Sequence, residues 1–235
     1  MLSHGLRAIA LVIGTSLLLV ACGGGGGGGS TGPVVSTNSF PLRAGYTALV
    51  AAGAIDNFTI SGTCAGSATI TDSPAIASTF EGVAGFASTS TFTFTFTNCT
   101  PTSGADTSTT FYDANYTPLG ISNPGGDYEK FQTVPPPLPA SVMVGNTASY
   151  GTLIVYTDSS KTVTTGTRVF SYVVEADTAS TAIINLISRS FDNASQLLGT
   201  QQSRYRIAAN GSLTIVSIDI QLSTTSTRHL LLTKS

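Results

Sequence analysis

The stretch "STFTFTFTN" at residues 90–98 constrains the fold more than any other part of this 235-residue chain. Successive side chains of an extended strand point to opposite faces, so Phe92, Phe94 and Phe96 share one face and Thr91, Thr93, Thr95 and Thr97 the other. Such a strand needs a sheet with one dry side and one wet side. "LTIVSIDIQL" repeats the pattern, with Val216, Ile218, Ile220 and Leu222 opposite Ser217, Asp219 and Gln221. Further strands are predicted at "NFTISG", "SATIT", "TTFYD", "YEKFQTV", "TLIVYT", "RVFSYVVEA", "TAIINLISRSF", "LLGTQQSRYRI" and "RHLLLT". Although "TASTAIINLIS" reads either way, no stretch gives a convincing amphipathic helix of ten or more residues. The expected fold class is therefore all-β, with short strands joined by Gly, Asn, Asp and Ser turns into an antiparallel sandwich, barrel or meander, of which a sandwich or meander is the expected form.

Two features bear on domain organisation. Consecutive prolines cannot sit in a central strand, so "VPPPLP" at 134–139 divides the body into β units of about 45–133 and 140–235. Across that line, "YDANYTPLG" at 112–120 matches "FDNASQLLG" at 191–199. The match reads either as a repeated hairpin or as independent use of Asp and Asn where turns need them.

Charged residues make up 9% of the chain, against roughly 25% in an average soluble protein, so the surface must be rich in hydroxyls rather than ions. The net charge is -2, and -3 without residues 1–21, which hold Arg7 and no acid. Nucleic-acid binders carry a strongly basic footprint, so no nucleic-acid partner is expected.

The amino terminus reads as a targeting segment. "MLSHGLR" supplies a basic start, and "AIALVIGTSLLLV" is a 13-residue apolar stretch, shorter than the roughly 20 residues a spanning helix needs. "LVAC", Leu19 to Cys22, resembles the lipobox of bacterial lipoproteins. That resemblance implies that residues 1–21 are a signal peptide removed on export and that Cys22 is the lipidated residue. With Gly23 rather than Asp after the cysteine, it also implies an outer-membrane location in the cell envelope, with the membrane as partner through the anchor. The Ser/Thr-rich body is similar in style to small envelope lipoproteins of Gram-negative bacteria, a likeness that supplies no functional residues.

Seven glycines, Gly23 to Gly29, follow the cysteine. A phosphate-binding loop would continue into Gly-Lys-Ser/Thr, whereas Ser30-Thr31-Gly32-Pro33 stands here. Residues 22–44 are instead expected to be a tether, disordered up to about Pro41 and with a reach of roughly 25 Å.

Cys64 and Cys99 are a pair in an exported chain and are expected to form a disulfide. The competing reading takes Gly62-Thr63-Cys64-Ala65-Gly66 as a cysteine nucleophile elbow, with His229 and either Asp192 or Asp219 completing a triad. That elbow needs a helix after the turn, and "AGSATITDS" continues as strand, so no catalytic residue is assigned and no enzyme is expected. Asp113 with Asn115, and Asp192 with Asn193, read as turn formers rather than calcium ligands. With no C-x-x-C and a single histidine after the signal, neither a metal site nor a cofactor is expected.

Arg204 and Arg206 share one strand face in "SRYRI" and are the candidate ligand-binding pair, for an anionic group. The leading functional expectation is a lipid-anchored, non-catalytic binding or structural protein whose partner is an envelope protein or a lipid. The alternative is a carrier of an apolar ligand, which requires a continuous concavity on the order of several hundred Å³ within the sheet.

Overall fold

The structure, a computed structural model, describes residues 34–223 and 228–235. Cys22, the expected signal segment and the glycine run lie outside the described residues. The chain enters through a helix, α1 (Leu42–Ala52), and continues as β1 (Ala54–Gly62), β2 (Gly66–Asp72), β3 (Ile76–Phe80), β4 (Val83–Phe96) and β5 (Ser103–Asp113). Then follow β6 (Pro118–Ser122), β7 (Tyr128–Phe131), β8 (Thr147–Tyr156), β9 (Thr164–Ala176) and β10 (Thr181–Asp192). The last three strands are β11 (Leu197–Ala208), β12 (Leu213–Leu222) and β13 (Arg228–Lys234).

Strands adjacent in sequence pair antiparallel almost throughout, as a meander should. Two pairings between strands not adjacent in sequence then change the architecture: β1 pairs with β13, and β2 pairs with β4. These close the sheet into a twelve-stranded antiparallel barrel with β3 left as an appendage on β4. The expected sandwich is therefore corrected to a barrel. Closure removes the open edges that a sandwich would leave unpaired.

The proline segment does not divide the sheet. β7 before it and β8 after it pair directly, from Tyr128 opposite Tyr156 to Phe131 opposite Leu153. The intervening residues loop over one end of the barrel, where Leu138 and Val142 are buried.

Alternation places apolar side chains inside. Phe94 and Phe96, with Phe58 and Ile60 of β1 and Leu230 and Leu232 of β13, pack in the lumen, while Thr93 and Thr95 are exposed outside. In β12 the expected alternation holds from Ile218 to Leu222, but a register shift at Arg204/Tyr205 of β11 puts Ile215, rather than Val216, in the buried cluster. A membrane-spanning barrel has the opposite polarity, with an apolar band facing outward.

The helix was not legible in advance. Gly45 and the β-branched Thr47 and Val50 weaken its propensity, yet Leu42, Tyr46 and Leu49 fall on one stripe that turns towards the barrel. Gly45 is required there, because a Cβ would collide with the carbonyl oxygen of Gly211 in the β11–β12 turn. The segment before the helix, expected as tether, is also placed from Val34 onward: Val34 bridges to Asp177, Phe40 bridges to Val142, and Phe40 is fully buried. The helix and Phe40 thus cap one end of the barrel.

The other end is stapled. Cys64, in the β1–β2 turn, and Cys99, in the β4–β5 turn, form the expected disulfide. The two similar loops also take up one geometry. Oδ1 of Asp113 accepts the N–H groups of Asn115 and Thr117, both at 2.8 Å, and Oδ1 of Asp192 accepts those of Ala194 and Gln196 at 2.9 and 2.8 Å. Tyr116 and Ser195 both take φ of 59°. The first loop sits at the capped end and the second at the opposite end, and Tyr112 is buried in the lumen whereas its counterpart Phe191 is only half-buried. Local turn chemistry explains the likeness better than a duplicated unit, which would keep its orientation in the barrel.

Candidate ligand-binding lumen

A barrel of about eight strands is just wide enough for side chains to fill, and its diameter grows with strand number. Twelve strands leave a lumen to be filled by something else. The disulfide cluster closes part of it and the helix-capped cluster another part. Between them lie three cavities that all touch Gln201.

The cavity beneath the helix has a volume of about 270 Å³. Its apolar wall comes from Ile121, Phe131, Leu153, Phe170 and Leu186, and five tyrosines, Tyr46, Tyr112, Tyr150, Tyr172 and Tyr205, add hydroxyls without charge. Burial pushes each of these phenols up from its ordinary pKa, so all are neutral at physiological pH. Tyr46 and Tyr112 bond to each other, with ring centroids 6.5 Å apart. The Tyr150 hydroxyl is buried with no hydrogen-bond partner in the protein.

A second cavity of about 280 Å³ lies beside β1, β2 and β12, lined by Leu49, Ile215 and Tyr205 and by Asp56, Asp72 and Lys234. Lys234 pairs with Asp56. Asp72 hydrogen-bonds Ser90, but burial outweighs that bond and, with the nearby Asp56 charge, holds its carboxyl above the usual carboxylate range. The third cavity, about 240 Å³, lies against Ile70, Phe92, Ile218 and Leu232, with Asp106 and Ser108 opposite. Gln201, whose amide donates to Ser203 Oγ at 2.9 Å, stands where the three meet.

A polar belt of Ser90, Ser108, Thr110, Ser188, Gln201 and Ser203 therefore crosses the inside of the barrel between two apolar clusters. Farther along the wall Glu129, 1% exposed, pairs with Arg168 at 3.0 Å, and Arg168 also donates to Ser190 at 3.1 Å. Burial pushes the Glu129 carboxyl up and the Arg168 charge opposes it.

The residues singled out in the sequence lie elsewhere. Arg204 and Arg206 are on the outer face, where Arg204 pairs with Glu175 at 3.3 Å and Arg206 forks onto Asp177 at 2.6 and 3.2 Å. Each already holds an anionic group, but it belongs to the protein. His229 Nε2 lies 3.1 Å from Asp219, also outside, while Cys64 is buried and has no free thiol; the nucleophile, histidine and acid of the hydrolase reading are not assembled. Asp192 is engaged in its own turn. Among the described residues no group of three His, Cys, Asp or Glu could hold a metal ion, and no helix is long and apolar enough to cross a membrane.

The lumen residues escaped sequence reading because Gln, Ser and Tyr within strands carry no motif. The signal that existed was interruption: in "LLGTQQSRYRI" the inward positions are Gly199, Gln201, Ser203 and Tyr205, where a core strand would place aliphatic side chains. No protein-family model, curated protein or solved structure matches the chain.

Proposed function

We propose that this is a non-catalytic binding protein of the cell envelope, tethered through a lipid on Cys22, whose barrel lumen receives a small amphiphilic ligand. The observation that carries the reading is the set of cavities meeting at Gln201 inside a closed sheet, between two apolar clusters. Their sizes approach the range of small-molecule sites, and the lining mixes an apolar wall with a few placed polar groups, as such sites do. The buried Tyr150 hydroxyl supports it, since buried polar groups are normally hydrogen-bonded. The tether reading fits this role: an anchor on Cys22 followed by the glycine run would hold the barrel near a membrane while leaving it free to turn.

Titration with an environment-sensitive apolar dye such as N-phenylnaphthylamine tests the lumen. Saturable one-site binding that Gln201→Trp abolishes in a folded variant is expected; binding that is absent, or indifferent to that substitution, overturns the reading. The anchor is tested separately by metabolic labelling with an alkyne fatty acid, which should mark the wild-type chain and not Cys22→Ala.

A further inference from the structure

The charges on the cavity walls say which amphiphile the lumen suits. Across the three cavities the charged residues are Asp56, Asp72, Asp106 and Lys234, and the one cation is bound to Asp56. A fatty acid or a phospholipid headgroup entering here would meet carboxylates and no uncommitted cation among the described wall residues. Burying an unpaired charge is costly, and a like charge nearby adds to that cost.

An organic cation meets the opposite situation. Asp72 lies in the wall of the second cavity with Ser90 as its hydrogen-bond partner, and Tyr205 shares that wall. An ammonium group beside Asp72 would gain a charge-assisted hydrogen bond and the electron-rich face of an aromatic ring. Tyr205 also belongs to the wall of the first cavity, together with Ser203 and Gln201. A chain attached to the ammonium could therefore run past these three residues to the apolar surface of Leu153, Phe170 and Leu186, where no wall residue is charged.

Resting on the lumen reading above, we infer that the preferred ligand is a cationic amphiphile, an amine on an aliphatic or aromatic body, with its ammonium at Asp72 and its apolar part beneath α1. Lys234 tunes this site by cancelling one of the two carboxylates at its rim.

Three probes of one chain length, decylamine, decanol and decanoate, test the inference by displacement of the dye from the intact folded chain. Decylamine should bind at least tenfold more tightly than decanoate and more tightly than decanol. Asp72→Asn should bring decylamine down to the level of decanol, and Lys234→Met, which leaves Asp56 without its partner, should strengthen decylamine several-fold. Should Asp72→Asn fail to fold, the Lys234→Met gain alone decides. If decanol or decanoate displaces the dye as well as decylamine does, or if neither substitution changes the affinity for decylamine, the charge assignment is overturned while the lumen reading stands. If none of the three displaces a dye that binds saturably, the charge assignment is overturned, and the lumen reading stands or falls by the dye titration with Gln201→Trp.

Discussion

The stapled side of the barrel and its helix-capped side solve the same problem with different materials. Around the disulfide, β1, β2, β4, β12 and β13 supply Phe58, Ile60, Ala68, Phe94, Phe96, Ile220 and Leu232, a core made by strand alternation alone. At the capped side β9, β10 and β11 still contribute Tyr172, Ile184 and Ile207, but closure depends on Phe40, Leu42, Leu138 and Val142, none of which lies in a strand. The first side is packed by neighbours in the sheet. The second is lidded by distant segments and retains the tyrosine-lined cavity, so the packing is divided between a side closed by the sheet itself and a side closed by segments outside it.

The largest expected effect tests that division directly. Phe94→Ala removes a ring that packs against Phe92 and Phe96 at 5.8 and 4.6 Å, and should cost about 3–5 kcal/mol. Leu186→Ala, which trims a wall already facing open volume, should cost less than half as much. Urea denaturation of both variants checks the ratio; equal losses would mean that the capped side is packed as tightly as the stapled one.

Next in size is the staple. Replacing Cys64 and Cys99 by Ser opens a loop with a sequence separation of 35 residues, for which the chain-entropy relation gives about 3.8 kcal/mol. Neither cysteine lines any of the three cavities, so dye affinity should survive at temperatures where the variant remains folded. A loss of affinity in the folded variant would join the two sides that the comparison separates.

This contrast also marks what could be read in the sequence. Phe92 to Phe96 and Ile218 to Leu222 announced their faces because one residue decides a strand position, and the cysteine pair needed only its compartment. Two strands were missed for physical reasons: β6 begins at a proline, and β3 is five residues held mainly by Phe80, which stacks outside the barrel between Phe111 and Tyr128 at 4.8 and 5.5 Å. Closure itself was not legible, because pairing β1 with β13 joins residues such as Phe58 and Lys234 that only the finished barrel brings together. The candidate site shares that origin: Gln201, Asp72 and Tyr46 become neighbours of one lumen through topology, not spacing.

A smaller effect concerns the twin loops. Asp113→Ala and Asp192→Ala each remove an acceptor of two backbone N–H groups, and each should cost about 1–2 kcal/mol. Because the loops share geometry but sit at opposite ends, the two losses should agree within about 0.5 kcal/mol. Thermal melts of the single variants provide the measurement. A much larger loss for Asp113→Ala would show that its loop also supports the capped end, where Tyr112 meets Tyr46.

The smallest predicted change in stability is the most informative about function. Gln201→Leu exchanges a polar side chain at the junction of the cavities for an apolar one of similar size. Ser203 loses a bond, but the neighbouring Ile218, Ile220 and Leu186 gain an apolar contact in space they already line. Stability should therefore change by less than about 1 kcal/mol. Dye affinity should fall despite the added apolar surface, because a polar group that orients the ligand has gone. If Gln201→Leu instead destabilises the barrel by several kcal/mol, Gln201 is a structural linchpin of the polar belt and the lumen is held open for the sheet's own sake.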